Sequence, residues 1–204
     1  MKKTKFIAVT MRADYLSKRN ETRSSLDNRM LKWIRAIGYQ PYLLPSIKSI
    51  DLNIILRGVN IQGFIISGGN YIKKNSPRYE IERKLLNYSI KKKIPVLGIC
   101  HGMQMMSDFE GGKLKPIHNH VRVIHNIICK FKSDKYPKKV NSFHNFTIKK
   151  LSPNFNIICT CTKGSIEAIK HKKYNWMGWM WHPERYKLFN SKLIKISKIF
   201  FKNK

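Results

Sequence analysis

Acidic residues are scarce in this 204-residue chain: 11 Asp plus Glu stand against 41 Lys plus Arg, a formal net charge of +30. Cysteines number only 4, scattered and with no export signal ahead of them. That argues against a disulfide scaffold, and the thiols are expected to be reduced. Long apolar runs are missing too. Stretches such as residues 63–67 and 94–100 fall far short of the roughly 20 residues that cross a bilayer. The start, Met1-Lys2-Lys3 followed by Phe6-Ile7-Ala8-Val9 and then Thr10 and Arg12, is too briefly apolar for a signal peptide. No internal repeat, linker or low-complexity tail is present, and no nucleic-acid motif. These absences point to a soluble cytoplasmic globular protein without a membrane or nucleic-acid partner.

What the chain does have is apolar bulk. Hydrophobic residues make up 42%, with 10 Phe, 9 Tyr and 4 Trp, too much for a disordered basic tail. At about 150 residues per domain the length fits one domain over 1–204. Lysines occur in pairs and short runs throughout (Lys73-Lys74, Lys91-Lys92-Lys93, Lys138-Lys139, Lys149-Lys150, Lys172-Lys173) and form no stripe. Such a spread is what compositional drift produces; an anionic small substrate is the functional alternative.

Strand and helix signals alternate through the first half. Residues 5–10 read as a buried strand. Ser24 or Ser25 can cap a helix with Leu26, Met30, Leu31, Ile34 and Ile37 on one face, ended by Gly38. Tyr42-Leu43-Leu44 predicts a strand, 50–59 a short helix, and 63–67 a buried strand leading into Gly68-Gly69-Asn70. Residues 78–92 are helical, 95–98 a strand, and 101–109 a helix. Beyond Gly111-Gly112 the helical period disappears, and 121–131, 146–150, 156–160, 166–171 and 176–180 read as strands before a last amphipathic helix near 188–201. The expected architecture is one α/β domain. Its mixed, mostly parallel sheet is flanked by helices, and the second half adds antiparallel strands to the same sheet.

Chemistry concentrates at Val96-Leu97-Gly98-Ile99-Cys100-His101-Gly102-Met103-Gln104. A buried strand running into Cys100 with a helix immediately after it is the pattern of a nucleophile elbow. So sharp a turn crowds the positions two before and two after the nucleophile, and Gly98 and Gly102 stand there. The helix N-terminus then favours a thiolate at Cys100. Cys129, Cys159 and Cys161 lie in apolar strands without flanking glycines and read as core residues. Trp176, Trp179 and Trp181 read as core as well.

A thiolate nucleophile needs a base, and the base an orienting acceptor. In Trp181-His182-Pro183-Glu184 the proline pushes His182 towards extended backbone. There, residues two apart point to one side, so His182 and Glu184 can face a common site. Backbone N–H groups at Gly68-Gly69 and at His101 supply oxyanion donors. His118, His120 and His125 have no carboxylate or cysteine at ligand spacing, so no metal site is expected.

These motifs, in the order Gly-Gly loop, G-I-C-H-G-M-Q and W-H-P-E, resemble the class I glutamine amidotransferase-like superfamily over nearly the whole chain, with its flavodoxin-like core. The resemblance implies a Cys–His–Glu triad that hydrolyses γ-glutamyl amides through a γ-glutamyl thioester. It makes Cys100 the nucleophile, His182 the acid/base and Glu184 its orienter. Gly69 and His101 become the oxyanion donors, and Gln104 contacts the glutamyl group; Gly68 and Asn70 complete the loop. Val140-Asn141-Ser142-Phe143-His144 looks like the N-S-x-H segment of the γ-glutamyl hydrolase branch, which places Ser142 and His144 in the glutamyl pocket. The first loop, from Thr10-Met11-Arg12 to Glu21-Thr22-Arg23-Ser24-Ser25, resembles that of small hydrolases of polysaccharide modification. Arg23, with Arg12, would there meet an anionic, nucleotide-linked substrate in capsule phosphoramidate synthesis. No cofactor is expected. The alternative is a glutaminase subunit that passes ammonia to a separate synthase. No fused synthase is expected after Glu184, and this, with the Asn141–His144 segment, favours the hydrolase. Intact Cys100, His182 and Glu184 argue against a silent binding module.

Overall fold

The structure, a computed structural model, describes residues 3–69, 71–130 and 135–202. Among these, nine strands form one sheet in the order β4-β1-β5-β6-β13-β12-β11-β8-β9. Strands β4 (Gln40–Leu44), β1 (Phe6–Thr10), β5 (Ile61–Ile66), β6 (Val96–Ile99) and β13 (Trp176–Trp179) run parallel. Strands β12 (Ile166–His171), β11 (Phe155–Cys161), β8 (Val121–Cys129) and β9 (Lys139–Phe143) continue the sheet antiparallel.

Alternation along the parallel strands sorts the core into two layers. Ile7, Val9, Ile65, Leu97, Ile99 and Trp179 face one side, packing with Met30, Trp33 and Ile34 of α1 (Asn28–Ala36) and Leu193 and Phe201 of α5 (Ser191–Lys202). Ala8, Phe64, Ile66 and Val96 face the other, against Ile81 and Leu85 of α3 (Pro77–Lys92) and Met103 and Met106 of α4 (His101–Phe109). Ser76 caps α3 by accepting from the Tyr79 N–H, with Pro77 opening the first turn. A short helix α2, Leu52–Ile55, stands inside the expected 50–59. The three tryptophans expected in the core are buried. No helix among the described residues is long and apolar enough to cross a membrane.

Several local expectations are corrected. The first loop is a hairpin of β2 (Arg12–Leu16) and β3 (Glu21–Ser25), the expected cap residues Ser24 and Ser25 end its second strand, and α1 begins after it. Asp27 is the cap, accepting from the Arg29 N–H at 2.9 Å, while Ser24 and Ser25 bind elsewhere: Ser24 accepts from Ser46 N–H, and Ser25 donates to Asp14. The strand β10 (Phe146–Lys150) leaves the main sheet to pair with β7 (Lys113–Pro116). Strands β7 and β9 are unexpected too; in β9 the polar Lys139, Asn141 and Ser142 mask the strand pattern. Phe131, the last residue of the expected 121–131 strand, lies outside the described residues.

The expectation of reduced thiols is corrected as well. Cys129 and Cys159 form a disulfide between β8 and β11. The register places them directly opposite one another, flanked by the Lys130 N–H to Ile158 carbonyl bond. That is a non-hydrogen-bonded pair, in which side chains of antiparallel strands come closest. Strand register is a tertiary property that neither cysteine's neighbours in sequence announce. Cys100 and Cys161 are free.

Candidate active site

Cys100 sits where β6 ends and α4 starts, with φ 51° and ψ −102°. Such a backbone is costly for a residue with a Cβ and persists only where its surroundings fix it. Here its N–H donates to the Trp179 carbonyl at 2.7 Å, and its carbonyl accepts from the Gln104 N–H at 3.1 Å. The expected crowding is present. A Cβ on Gly98 would lie 2.6 Å from the backbone of Gly102, and one on Gly102 would run into the Ile66 carbonyl.

His182 follows β13 in extended backbone, φ −108° and ψ 95°, and a single 3-10 turn, Pro183–Arg185, returns Glu184 beside it. Imidazole Nδ1 and Glu184 Oε1 are 2.6 Å apart, and both side chains are buried. Asn141 on β9 clamps the histidine backbone: its Nδ2 donates to the His182 carbonyl and its Oδ1 accepts from the His182 N–H, each at 2.8 Å. The Phe143 ring meets the imidazole edge-to-face at 5.6 Å. Burial disfavours the imidazolium, yet the charges of Glu184 and Cys100 and their hydrogen bonds outweigh it, raising His182 to about 9. The imidazole therefore carries a proton at neutral pH.

The Gly68-Gly69 loop completes the arrangement. A Cβ on Gly68 would strike Cε1 of His182, so only glycine lets this backbone lie against the ring. Gly69, at φ +149°, has no room for a side chain beside Arg78 and Arg12. Behind the loop is a buried polar network. Glu82 Oε1 accepts from Arg78 Nε at 2.7 Å and from the Thr10 hydroxyl at 3.0 Å, and Glu82 Oε2 is 2.8 Å from His101 Nε2. Arg78 in turn donates to the carbonyls of Ser67, at 2.7 Å, and Gly68, at 3.3 Å. Burial alone would raise Glu82, but Arg78 and His101 hold it down at about 2. One carboxylate thus ties the loop to the residue that follows Cys100.

A cavity of about 310 Å³ opens beside Gly68, Gly69, His182 and Glu184, with Arg12 and Arg185 at its walls. Cys100 is not among its lining residues and adjoins it through its side-chain hydrogen bond to His182. The arrangement suits acyl transfer.

The glutamine amidotransferase class-I family model matches residues 22–195. The chain belongs to the class-I glutamine amidotransferases. It is an enzyme of that type, a hydrolase of C–N bonds. It is 37% identical over 147 residues to a gamma-glutamyl-CDP-amidate hydrolase of Campylobacter jejuni, covering 69% of this chain and 70% of that one. A glutamine-hydrolyzing GMP synthase subunit of Methanosphaera stadtmanae is 30% identical over 163 residues, 78% of this chain and 82% of its own. Among solved structures, a protein of Thermoplasma acidophilum described as a GMP synthase subunit superposes with a TM-score of 0.72 at 18% identity, covering 99% of this chain and 94% of its own. A glutamine amidotransferase of Thermotoga maritima gives 0.66, also at 18% identity, covering 98% and 84%. These two likenesses concern the fold.

Of the residues this amidotransferase fold was expected to gather, Cys100, His101, His182, Glu184, Gly68 and Gly69 come together. The others go elsewhere. Gln104 donates to the Phe146 carbonyl at 3.0 Å, Ser142 to the His120 carbonyl at 2.6 Å, and His144 Nδ1 lies 2.9 Å from the Phe146 carbonyl. All three are buried inside the β9–β10 junction and none lines the cavity. Arg23 is exposed and paired with Glu21, not with the cavity. Asn70 lies outside the described residues. Sequence reasoning missed Arg78, Glu82 and Arg185, and placed Thr10 and Asn141 in motifs without giving either a role. Two signals were available: Arg78 and Glu82 are four apart on one helix, and Glu82 falls beside Ile81 on the inward face. The histidines thought to lack a carboxylate do have one: Glu167 lies with His120 and His125.

Proposed function

We propose that this protein hydrolyses a γ-glutamyl amide through a thioester on Cys100. The observation that carries the reading is the His182–Glu184 pair at 2.6 Å, held against Gly68 and acted on electrostatically by Cys100. The Cys100 sulfur attacks the γ-carbonyl carbon, forming a C–S bond and an oxyanion that the backbone N–H groups of Gly69 and His101 stabilise. Collapse breaks the C–N bond while the imidazolium of His182 gives its proton to the departing nitrogen. Neutral His182 then takes a proton from water as the oxygen attacks the thioester. The C–S bond breaks, glutamate leaves, and the proton ends on the imidazole.

The leaving group we favour is nucleotide-linked, as in γ-glutamyl-CDP-amidate of capsule phosphoramidate synthesis. Support comes from the 37% identical relative of that name and from the two guanidinium groups at the cavity wall, Arg12, which also pairs with Asp14 at 2.8 Å, and Arg185, 3.7 Å from Glu184, whose further N–H groups suit phosphate oxygens. The second reading, a glutaminase subunit feeding ammonia to a separate synthase, is favoured by the relative from a glutamine-hydrolyzing GMP synthase. Glutamate release from γ-glutamyl-CDP-amidate and from glutamine separates the two. The hydrolase reading expects kcat/KM for the nucleotide conjugate to be higher by orders of magnitude; equal values, or glutamine turnover that rises when a synthase is added, select the glutaminase. Trapping the acyl-enzyme and mapping it by mass spectrometry should label Cys100, and a label on Cys161 instead would sink the mechanism.

A further inference from the structure

Away from the cavity, four side chains from four segments converge in the antiparallel half of the sheet. His120 precedes β8, His125 lies on it, His144 follows β9, and Glu167 lies on β12. One ligand atom from each of His120, His125 and Glu167 falls within 4.8 Å of the others. Glu167 is fully buried, and His120 and His144 nearly so. Four atoms there are buried without a hydrogen-bond partner: His120 Nδ1, His125 Nε2, His144 Nε2 and Glu167 Oε2. Each such atom costs free energy if nothing meets it.

One pair already stands near ligand spacing: His125 Nε2 is 3.4 Å from Glu167 Oε2, while His144 Nε2 lies 3.8 Å from the other oxygen, Oε1. Neighbouring ligands of a tetrahedral ion with bonds of about 2.0–2.1 Å lie about 3.3 Å apart. The outer groups are arranged as they are around bound metals. Glu167 Oε1 takes the Ser165 hydroxyl at 2.7 Å, leaving Oε2 for the centre. No Lys or Arg among the described residues is ion-paired with the Glu167 carboxylate.

We propose that His120, His125 and Glu167 bind a divalent transition-metal ion, with His144 beside Glu167 but outside the ligand set. Two imidazoles and one carboxylate suit Zn²⁺ or Co²⁺ and are a poor match for Mg²⁺ or Ca²⁺. The ion would neutralise the buried carboxylate and pin the loop before β8 and strand β12 to one another.

Cobalt(II) chloride serves as the probe, titrated into the chelator-stripped full-length protein and followed by visible absorption. One saturable equivalent is expected, with d–d bands of N/O ligation and no thiolate charge-transfer band. It should persist in Cys100→Ala, which separates it from the candidate active site and from any failure of the hydrolase reading. Glu167→Gln and His125→Ala, each checked for folding by circular dichroism, should weaken uptake by about 100-fold or more, since each removes a ligand. The partly exposed His125 position decides the matter if Glu167→Gln does not fold. No saturable equivalent, a thiolate band, loss of uptake in Cys100→Ala, or unchanged uptake in a folded His125→Ala would each overturn the proposal.

Discussion

At the scale of single residues, Cys100, His182 and Glu184 differ in what each is asked to do, and their substitutions should differ accordingly. Cys100→Ala and His182→Ala should each lower kcat by about 10⁴-fold or more with the fold intact, because members of a catalytic unit are not additive. Glu184→Gln should be roughly tenfold to a hundredfold milder, since it orients the imidazole and does not react. Steady-state kinetics beside thermal melts checks both, and activity unchanged in His182→Ala would reverse the assignment. The same histidine sets a pH dependence. Its value in the fold, about 9, exceeds the ordinary 6.5. Its stabilisation is thus complete below 6.5 and lost as pH rises through about 9. The proton for the leaving group goes with it, so kcat should fall over that upper range, and a flat kcat up to pH 10 would show that His182 is not the acid. The local geometry of these three residues is legible because each sits in a short segment whose neighbours dictate it: glycines two either side of Cys100, and a proline after His182. The placement of Arg23 is not legible in the same way, because it depends on the hairpin. There Arg23 stands opposite Asp14 and turns to Glu21, while Arg12 reaches the cavity.

At the scale of elements, what matters is how β5, α3 and α4 hold the loop against the base. Gly68→Ala puts a methyl into the His182 ring, so the imidazole must move. A displacement of about 1 Å can cost about 100-fold in rate. Gly68→Ala should therefore lower kcat on that order with little change in Tm; wild-type kcat would mean the ring is not fixed by this contact. Glu82→Gln tests the network behind the loop. It leaves Arg78 buried without its counter-ion, a loss of about 3–5 kcal/mol by chemical denaturation. Glu82 is held at about 2, below its ordinary 4.5, so its stabilisation is present above 4.5 and lost as pH falls through about 2. The stability gap between wild type and Glu82→Gln should accordingly narrow between these values, and a constant gap would rule out the charge as its source. The parallel elements were readable because burial on both faces makes their strands continuous apolar runs. Those after Gly112 were read as strands, but their partners were not. Whether residues 146–150 pair with β7 or join the main sheet depends on long-range register, which leaves no local mark. The Glu82 network escaped for the same reason: its members come from β1, α3, α4 and the loop after β5.

At the scale of the whole molecule, the +30 charge has two readings that one measurement separates. Lysines spread over the surface give no patch, as drift would leave them. A net charge of this size nevertheless produces a field that an approaching anion feels, and Arg12 and Arg185 at the cavity direct it towards the reacting atoms. Glutamine at neutral pH has no net charge and should be nearly indifferent to that field. A diphosphate-bearing γ-glutamyl conjugate should not be. Raising ionic strength from about 0.01 M to about 1 M shortens the screening length from about 30 Å to about 3 Å. If the substrate is the anionic conjugate, its kcat/KM should fall by about tenfold or more over that range, as steered association does. The value for glutamine should stay within about twofold. Arg12→Ala should flatten the salt response of the conjugate and leave that of glutamine alone, whereas Arg23→Ala, paired with Glu21 away from the cavity, should change neither. Equal salt responses for the two substrates would return the charge to composition and remove the argument for an anionic leaving group.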